Sequence, residues 1–532
     1  MARTPLFRFI GRAMREAQAA NHIGTGSAEI VERRQAYALD RRQFILSSAA
    51  AGAGLALSGC RTASHPLDII TGGGDPVLIV GAGIAGLTAA YRLGQAGIPT
   101  RIIEAQNRVG GRIYSLRNFF PDGQVAELGG ELIDTNHTEL RTLATELGIE
   151  LDDLSMEPDG IHHDVWFFEG AIRSEAEVVE AFRPIAARIE ADLAALSGDD
   201  VTYRQPNDAQ SLDRTTLAAW LDRNQISGWI RTLLSVGYVT EYGLELEDQS
   251  SLNLLMMIDT NPDPFRIFGE SDERFHTRGG NDRITTTLAS RLERDIETNT
   301  VLESLAEQPD GSFVCSVRRS GTSTTIRAPQ VLLALPFTVL RDVRLDMELP
   351  AVKRAAIDGL GYGTNAKLMV GFEQRLWRDR YQSNGSVLTD LPFQLCWETS
   401  RKQAGPAGIL TNFTGGLHGL ELGQGTDAEQ AHRFVEDLEH IFPGVSSTHG
   451  TSKQVRFHWP SFQFTRGSYA SYRPGQWTAL RGAEGEPVRN LFFAGEHCSL
   501  DFQGFMQGGC ETGESVAVAI AAARGVEKRR AA

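Results

Sequence analysis

Cysteine is scarce. The 532 residues hold five (Cys60, Cys315, Cys396, Cys498 and Cys510), with no Cys-x-x-Cys and no His pair at ligand spacing, so the sequence encodes neither a disulfide framework nor a metal site. Basic charge is also in deficit. Against 67 Asp and Glu stand 52 Lys and Arg, a formal net charge of −15, which argues against a protein that tracks nucleic-acid phosphates. No internal repeat, Ser-His-Asp set or paired carboxylate stands out. What is present is a globular composition, 41% apolar and 22% charged with 55 Gly, long enough for about three to four domains of ordinary size.

The charge is uneven. Residues 1–60 hold eight Arg, no Lys and four acids, leaving a balance of +4 there and −19 in the remainder. Arg41-Arg42-Gln43-Phe44-Ile45-Leu46 leads into a mildly apolar run of 15 residues, 45–59, shorter than the roughly 20 that span a bilayer. This reads as a twin-arginine export signal. It implies a periplasmic or extracellular protein and the export machinery as a partner. Leu57-Ser58-Gly59-Cys60 also resembles a lipobox, so a lipid anchor at Cys60 is a second expectation.

Residues 61–75 read as a Gly-rich tether. Then Pro76-Val77-Leu78-Ile79-Val80 reads as a buried parallel strand and runs directly into Gly81-Ala82-Gly83-Ile84-Ala85-Gly86. A helical stretch to Ala96 and a second strand at 100–104 end in Glu104, 23 residues after Gly81. This is a dinucleotide-binding fingerprint. Gly81 serves a tight turn, Gly83 a close approach to pyrophosphate, Gly86 helix-to-strand packing, and Glu104 the ribose hydroxyls.

The continuation narrows the cofactor. Arg108-Val109-Gly110-Gly111-Arg112 resembles the R-x-G-G-R extension of the flavin amine oxidase superfamily (monoamine, polyamine and L-amino acid oxidases). Ala126-Glu127-Leu128-Gly129-Gly130-Glu131, Val331-Leu332-Leu333-Ala334-Leu335-Pro336, Ala494-Gly495-Glu496-His497 and Gly504-Phe505-Met506 resemble later islands of that family in the same order. The resemblance implies FAD, held by Gly81, Gly83, Ala85, Gly86, Glu104, Gly110, Gly111, Gly129, Gly130, Glu131, Val301, Gly495, Glu496, Gly504 and Met506. Arg108 and Arg112 would neutralise phosphate charge. It also implies an α/β fold: a Rossmann-like FAD domain of the glutathione-reductase type from 76–150, 271–345 and 476–525, interleaved with a substrate domain. The latter comprises a mostly helical insertion, 151–270, broken at 261–264, and a sheet with an amphipathic helix, 346–475.

The resemblance further implies hydride transfer from the carbon of an amine to flavin, with O2 giving an imine and H2O2. Lys367 occupies the position of the family lysine that holds a water beside the flavin and attracts oxygen. Tyr469 and Phe505 match the aromatic pair that sandwiches the amine, with Trp459 a further wall. Ser468 replaces the Cys to which monoamine oxidases attach flavin, so FAD is expected to be non-covalent. Where venom-type L-amino acid oxidases place a carboxylate-binding Arg stands Leu132, which favours an amine; Arg278 or Arg466 remain alternative carboxylate partners, and Glu131 or an unidentified acid would read a second ammonium, with surface or cofactor roles the alternative for Glu131 and Asp134. Rival readings are an L-amino acid oxidase, a flavin desaturase and an envelope-bound flavoprotein. A homodimer is compatible with the sequence.

Overall fold

A computed structural model describes residues 74–526, apart from 157, 159, 162–164, 199, 258–271, 293–295, 451 and 452. The export leader, Cys60 and the break at 261–264 lie outside the described residues.

The central element is a parallel sheet of five strands: β1 (Val77–Val80), β2 (Thr100–Ile103), β3 (Ile296–Glu297), β4 (Val331–Leu333) and β5 (Leu491–Phe493), in the order β5-β4-β1-β2-β3. Both faces of β1 are covered, and all four of its residues are buried. That is why it reads as a continuous apolar run rather than an alternating one. Helix α1 (Ile84–Gln95) follows β1 at once and stops at Gly97, whose φ of +74° is the left-handed conformation that ends a helix cheaply.

A last helix, α2 (Met506–Ala523), packs against α1. It begins directly after the Gly504-Phe505 pair of the last sequence island. Gly508 and Gly509 are packing residues, not a turn: a Cβ on Gly509 would lie 2.7 Å from Ile84 Cγ2, and one on Gly513 2.4 Å from the Ala85 carbonyl oxygen.

The second domain is built on a seven-stranded sheet, ordered Gln454–His458, Ala366–Phe372, Gly408–Thr414, Leu395–Glu398, Val387–Thr389, Val165–Phe168 and Ala171–Arg173. The last two strands add a short hairpin to the otherwise mostly helical described part of 151–270. They form a hairpin turned by Glu169 and Gly170 at φ +53° and +71°, two successive left-handed residues that suit the twist of an antiparallel pair. Helices Glu175–Ala194 and Gly228–Tyr242 supply the helical part. Between helices Leu217–Arg223 and Gly228–Tyr242 the chain turns at Gln225 and Gly228, both at positive φ. Helix Asp427–Glu439 matches its expected amphipathic stretch and is closed by a Thr426–Glu429 capping box.

Candidate active site

One cavity of about 700 Å³ is lined from both domains, by the β1–α1 turn, residues 104–106, 110–113 and 129–132, the strand carrying Lys367, and residues 495–497 and 504–506. Its nucleotide end is shaped by close backbone approach. A Cβ on Gly81 would sit 2.5 Å from the Ala334 carbonyl oxygen, and one on Gly86 2.0 Å from the Gly81 carbonyl oxygen. No side chain caps the N-terminus of α1 and no acid occupies its first turn, so its leading N–H groups and positive dipole end suit a pyrophosphate. The N-terminus of α2 at Phe505 likewise has no side-chain cap.

Glu104 accepts N–H bonds from Ala82 (2.8 Å) and Gln106 (2.8 Å), which fix its carboxylate at the end of β2. Burial pushes its pKa up against these bonds. With two acceptor sites filled, capacity for ribose hydroxyls remains. Val301, Ala85, Gly110, Gly111, Gly129 and Gly130 line the same cavity. Gly129 is required by its neighbour, since a Cβ there would meet the Arg112 carbonyl oxygen at 1.9 Å, and one on Gly130 would press on the Met506 side chain. His497 lines the cavity fully buried, with neither ring nitrogen hydrogen-bonded within the described protein; burial lowers its pKa to about 4. The glycine cradle, the uncapped helix ends and this orphaned imidazole together fit a dinucleotide such as FAD.

Of the two arginines expected to neutralise phosphate charge, Arg108 requires correction. Arg108 does not line the cavity; its guanidinium stacks 3.9 Å from the centre of the Tyr114 ring and bonds the Gly111 carbonyl. Arg112 does line it, but donates to Glu496 (2.7 Å) and to the Ser468 carbonyl (2.9 Å). Glu496 in turn accepts N–H bonds from Gly504 (2.7 Å) and Ala470 (3.2 Å). The Arg112–Glu496 pair therefore ties three separate chain segments around the cofactor end.

The opposite end is aromatic. Trp397, Phe413, Trp459, Tyr469 and Phe505 line it. The Tyr469 hydroxyl donates to the Glu241 carbonyl (2.8 Å), and the Phe505 ring packs edge-on to His137 at 5.1 Å. Lys367 is 3% exposed, on the second strand of the seven-stranded sheet between Phe413 and Phe457. Its ammonium donates to the carbonyls of Glu127 (3.1 Å) and Gly129 (2.9 Å) and to Glu131 Oε2 (2.7 Å).

Glu131, expected among the cofactor contacts, has its carboxylate turned to Lys367, and its other oxygen accepts from Trp397 Nε1 (2.9 Å) and Thr399 Oγ1 (2.7 Å). Burial opposes ionisation of Glu131, but the Lys367 charge and these hydrogen bonds outweigh it and hold the pKa below the usual carboxylate range. Asp134 is spent on the backbone N–H of Glu273 (2.5 Å).

Arg278 is removed from the cavity and paired with Glu150 and Asp152. Arg466 lines it, paired with Asp342. The Ser468 hydroxyl donates to Asn365 (2.7 Å), and no cysteine lines the cavity.

Sequence reasoning missed Trp397, Thr399, Phe413 and His497. The first three lie on strands Leu395–Glu398 and Gly408–Thr414 and the flank of the former; only their pairing beside Lys367 reveals them, with Phe413 opposite Lys367 in the ladder. His497 was visible in the motif beside Glu496 but had no partner to suggest a role.

Residues 84–521 match the family described as flavin containing amine oxidoreductase. Among curated proteins, an L-amino acid dehydrogenase of Synechocystis is 25% identical, covering 83% of this chain and 94% of that protein. An L-amino-acid oxidase of Pseudechis australis is 24% identical, over 79% and 82%. Among solved structures, cyclohexylamine oxidase from Brevibacterium oxydans superposes with a TM-score of 0.74 at 22% identity, covering 85% of this chain and 99% of that one. The cradle and the matched span agree: the chain belongs to the flavin containing amine oxidoreductase family and is an FAD-dependent oxidoreductase acting on amines.

Proposed function

We propose that the protein oxidises a primary or secondary amine that carries no α-carboxylate. The observation behind this is the state of the cations. Every Lys and Arg lining the cavity is already ion-paired: Arg112 with Glu496 (2.7 Å), Lys367 with Glu131 (2.7 Å), Arg318 with Glu303 (2.9 Å) and Arg466 with Asp342. A substrate carboxylate would need a charge-assisted partner; taking Arg112 or Lys367 would strand a buried acid, Glu496 or Glu131, while Arg318 and Arg466 are partly exposed and each already has an acid beside it. An amine asks only for an apolar, aromatic slot, which Tyr469, Phe505, Trp397 and Phe413 supply.

Bound FAD supplies the acceptor for the two electrons and the hydrogen of the substrate C–H bond. The amine loses that hydride and one N–H proton to become an imine, and where O2 is the acceptor it takes two electrons and two protons and leaves as H2O2. The protein's task is to orient the C–H bond and exclude water, with Tyr469 held in place by the Glu241 carbonyl. Anaerobic bleaching of the yellow holoenzyme by a panel of monoamines, polyamines and L-amino acids tests this. Bleaching by amines alone is expected; bleaching confined to L-amino acids, the reading suggested by the names of two relatives, would overturn the substrate class.

The Arg41-Arg42 leader supports export by the twin-arginine route as a further part of this proposal, with Cys60 as a lipid anchor. Fractionation of cells expressing the full chain, with Arg41→Lys/Arg42→Lys as control, checks it: the enzyme should move to the cytoplasm in the double variant, and unchanged distribution refutes the export reading.

A further inference from the structure

An ammonium has three protons to donate, and in Lys367 all three are committed: to the Glu127 carbonyl, the Gly129 carbonyl and the Glu131 carboxylate, the last at 2.7 Å with both side chains buried. No proton is left over to hold a water. The carboxylate is itself fixed by Trp397 Nε1 and Thr399 Oγ1, and Thr399 is tied on to Thr411 (2.5 Å). The pair is a rigid, electrically neutral unit at the wall of the FAD cavity rather than a lone positive charge.

We propose that Glu131 is a positioning residue that neutralises Lys367 and thereby holds down the rate at which oxygen re-oxidises the reduced enzyme, favouring an organic or protein electron acceptor over O2. Oxygen gains negative charge as it takes its first electron, so an uncompensated cation nearby speeds that step. A carboxylate in contact with the cation cancels most of its field a few ångströms away, because the two opposite charges act at nearly the same distance. The same cancellation lowers the affinity of the bound cofactor for electrons. The electron balance is unchanged by the choice of acceptor: two electrons and two protons pass to O2 as H2O2, or to a quinone-type dye as the hydroquinone.

The proposal rests on the FAD-dependent reading of the site but not on the substrate. In the test the holoenzyme is reduced with dithionite, so a wrong substrate class leaves the outcome intact, and a preparation that binds no FAD fails the broader reading instead. Two quantities are read: the second-order rate constant with O2 in a stopped-flow instrument, and the equilibrium between enzyme and a reference redox dye.

Glu131→Gln, nearly isosteric and uncharged, exposes the ammonium. It should raise the oxygen rate constant at least tenfold and shift the dye equilibrium at least tenfold toward reduced enzyme. Adding Lys367→Met to that variant should abolish both gains, which a merely structural role of Glu131 would not predict. Where Glu131→Gln fails to fold, Lys367→Met alone still decides the matter. With the ammonium gone, Glu131 takes up a proton and the net charge is preserved, so the dye equilibrium should move less than threefold. A tenfold shift of that equilibrium toward oxidised enzyme in Lys367→Met, or an oxygen rate constant unchanged or lowered in folded Glu131→Gln, would overturn the proposal.

Discussion

Two glycines of α1 should respond in opposite directions to the same substitution. At Gly86 a Cβ would fall 2.0 Å from the Gly81 carbonyl oxygen and 3.2 Å from Ile79 Cγ2. To restore an ordinary contact the helix and the turn must part by more than about 1 Å. Neither can yield cheaply: Gly81 donates to the Ile103 carbonyl at 2.8 Å and is itself packed against Ala334, whose N–H bonds the Val80 carbonyl at 2.8 Å. The turn is thus held by β1, β2 and β4 at once. Overpacking a well-filled core costs roughly 1–3 kcal/mol, and an unyielding backbone acceptor puts Gly86→Ala at the top of that range, about 3 kcal/mol. At Gly94, near the end of the same helix, nothing lies within 4 Å of the added methyl, and Gly→Ala in a helix interior stabilises by about 0.5–1 kcal/mol.

The assay is urea unfolding at a fixed excess of FAD, with bound flavin measured from the visible absorbance of desalted protein. Because ligand that binds only the folded state adds to stability, each tenfold loss of FAD affinity lowers the apparent stability by a further ~1.4 kcal/mol. Gly86→Ala should therefore lose both midpoint and colour, whereas Gly94→Ala should gain midpoint and keep its colour. Gly86→Ala with wild-type flavin content and a stability within about 0.5 kcal/mol of wild type would refute the argument from close approach.

Acid precipitation should leave the flavin in the supernatant, as the Ser468 position and the lack of a cavity thiol require; a yellow pellet refutes non-covalent binding. Arg112→Ala should destabilise the protein by about 3–5 kcal/mol in denaturant unfolding, since it strands the buried carboxylate of Glu496, and a loss under 1 kcal/mol would show that pair to be dispensable. Burial pushes the Glu484 carboxyl up to about 7, against hydrogen bonds from Gly482 and Tyr472. Folding therefore takes up a proton between pH about 4.5 and 7, and this group's contribution to stability falls as pH rises through that window. Glu484→Gln lacks the slope, so the variant should gain on wild type by about 3 kcal/mol between pH 4.5 and 8; a pH-independent difference would contradict it.

The nucleotide half of the molecule was legible because backbone geometry dictates residue type there. Gly81, Gly86 and Gly129 cannot carry a side chain without moving backbone, and Glu104 must end its strand, so spacing alone exposes them. Long side chains are different. Arg108 and Arg112 sit where phosphate contacts were expected, yet a guanidinium reaches several ångströms in any direction, and local sequence does not say that Tyr114 and Glu496 capture them. The same holds for Glu131: its partners Lys367, Trp397 and Thr399 lie 236 to 268 residues away in sequence, and only the folded ladder brings them together. The hairpin at 165–173 was hidden for another reason, since two short strands inside a helix-rich stretch have too few residues to show a period.

The order of strands in the parallel sheet has a consequence for biosynthesis. Its partner strands span positions 77 to 493, and the helix that closes the cradle runs to Ala523. A nascent chain that has reached residue 490 owns the pyrophosphate turn but not Glu496, Gly504 or the second helix, so it has half a cofactor pocket and an unpaired sheet edge. Such long-range pairings form slowly and leave incomplete chains prone to aggregation. FAD can act as the final clasp only after translation is complete, which makes cofactor loading a natural checkpoint between a finished chain and any machinery that accepts folded cargo.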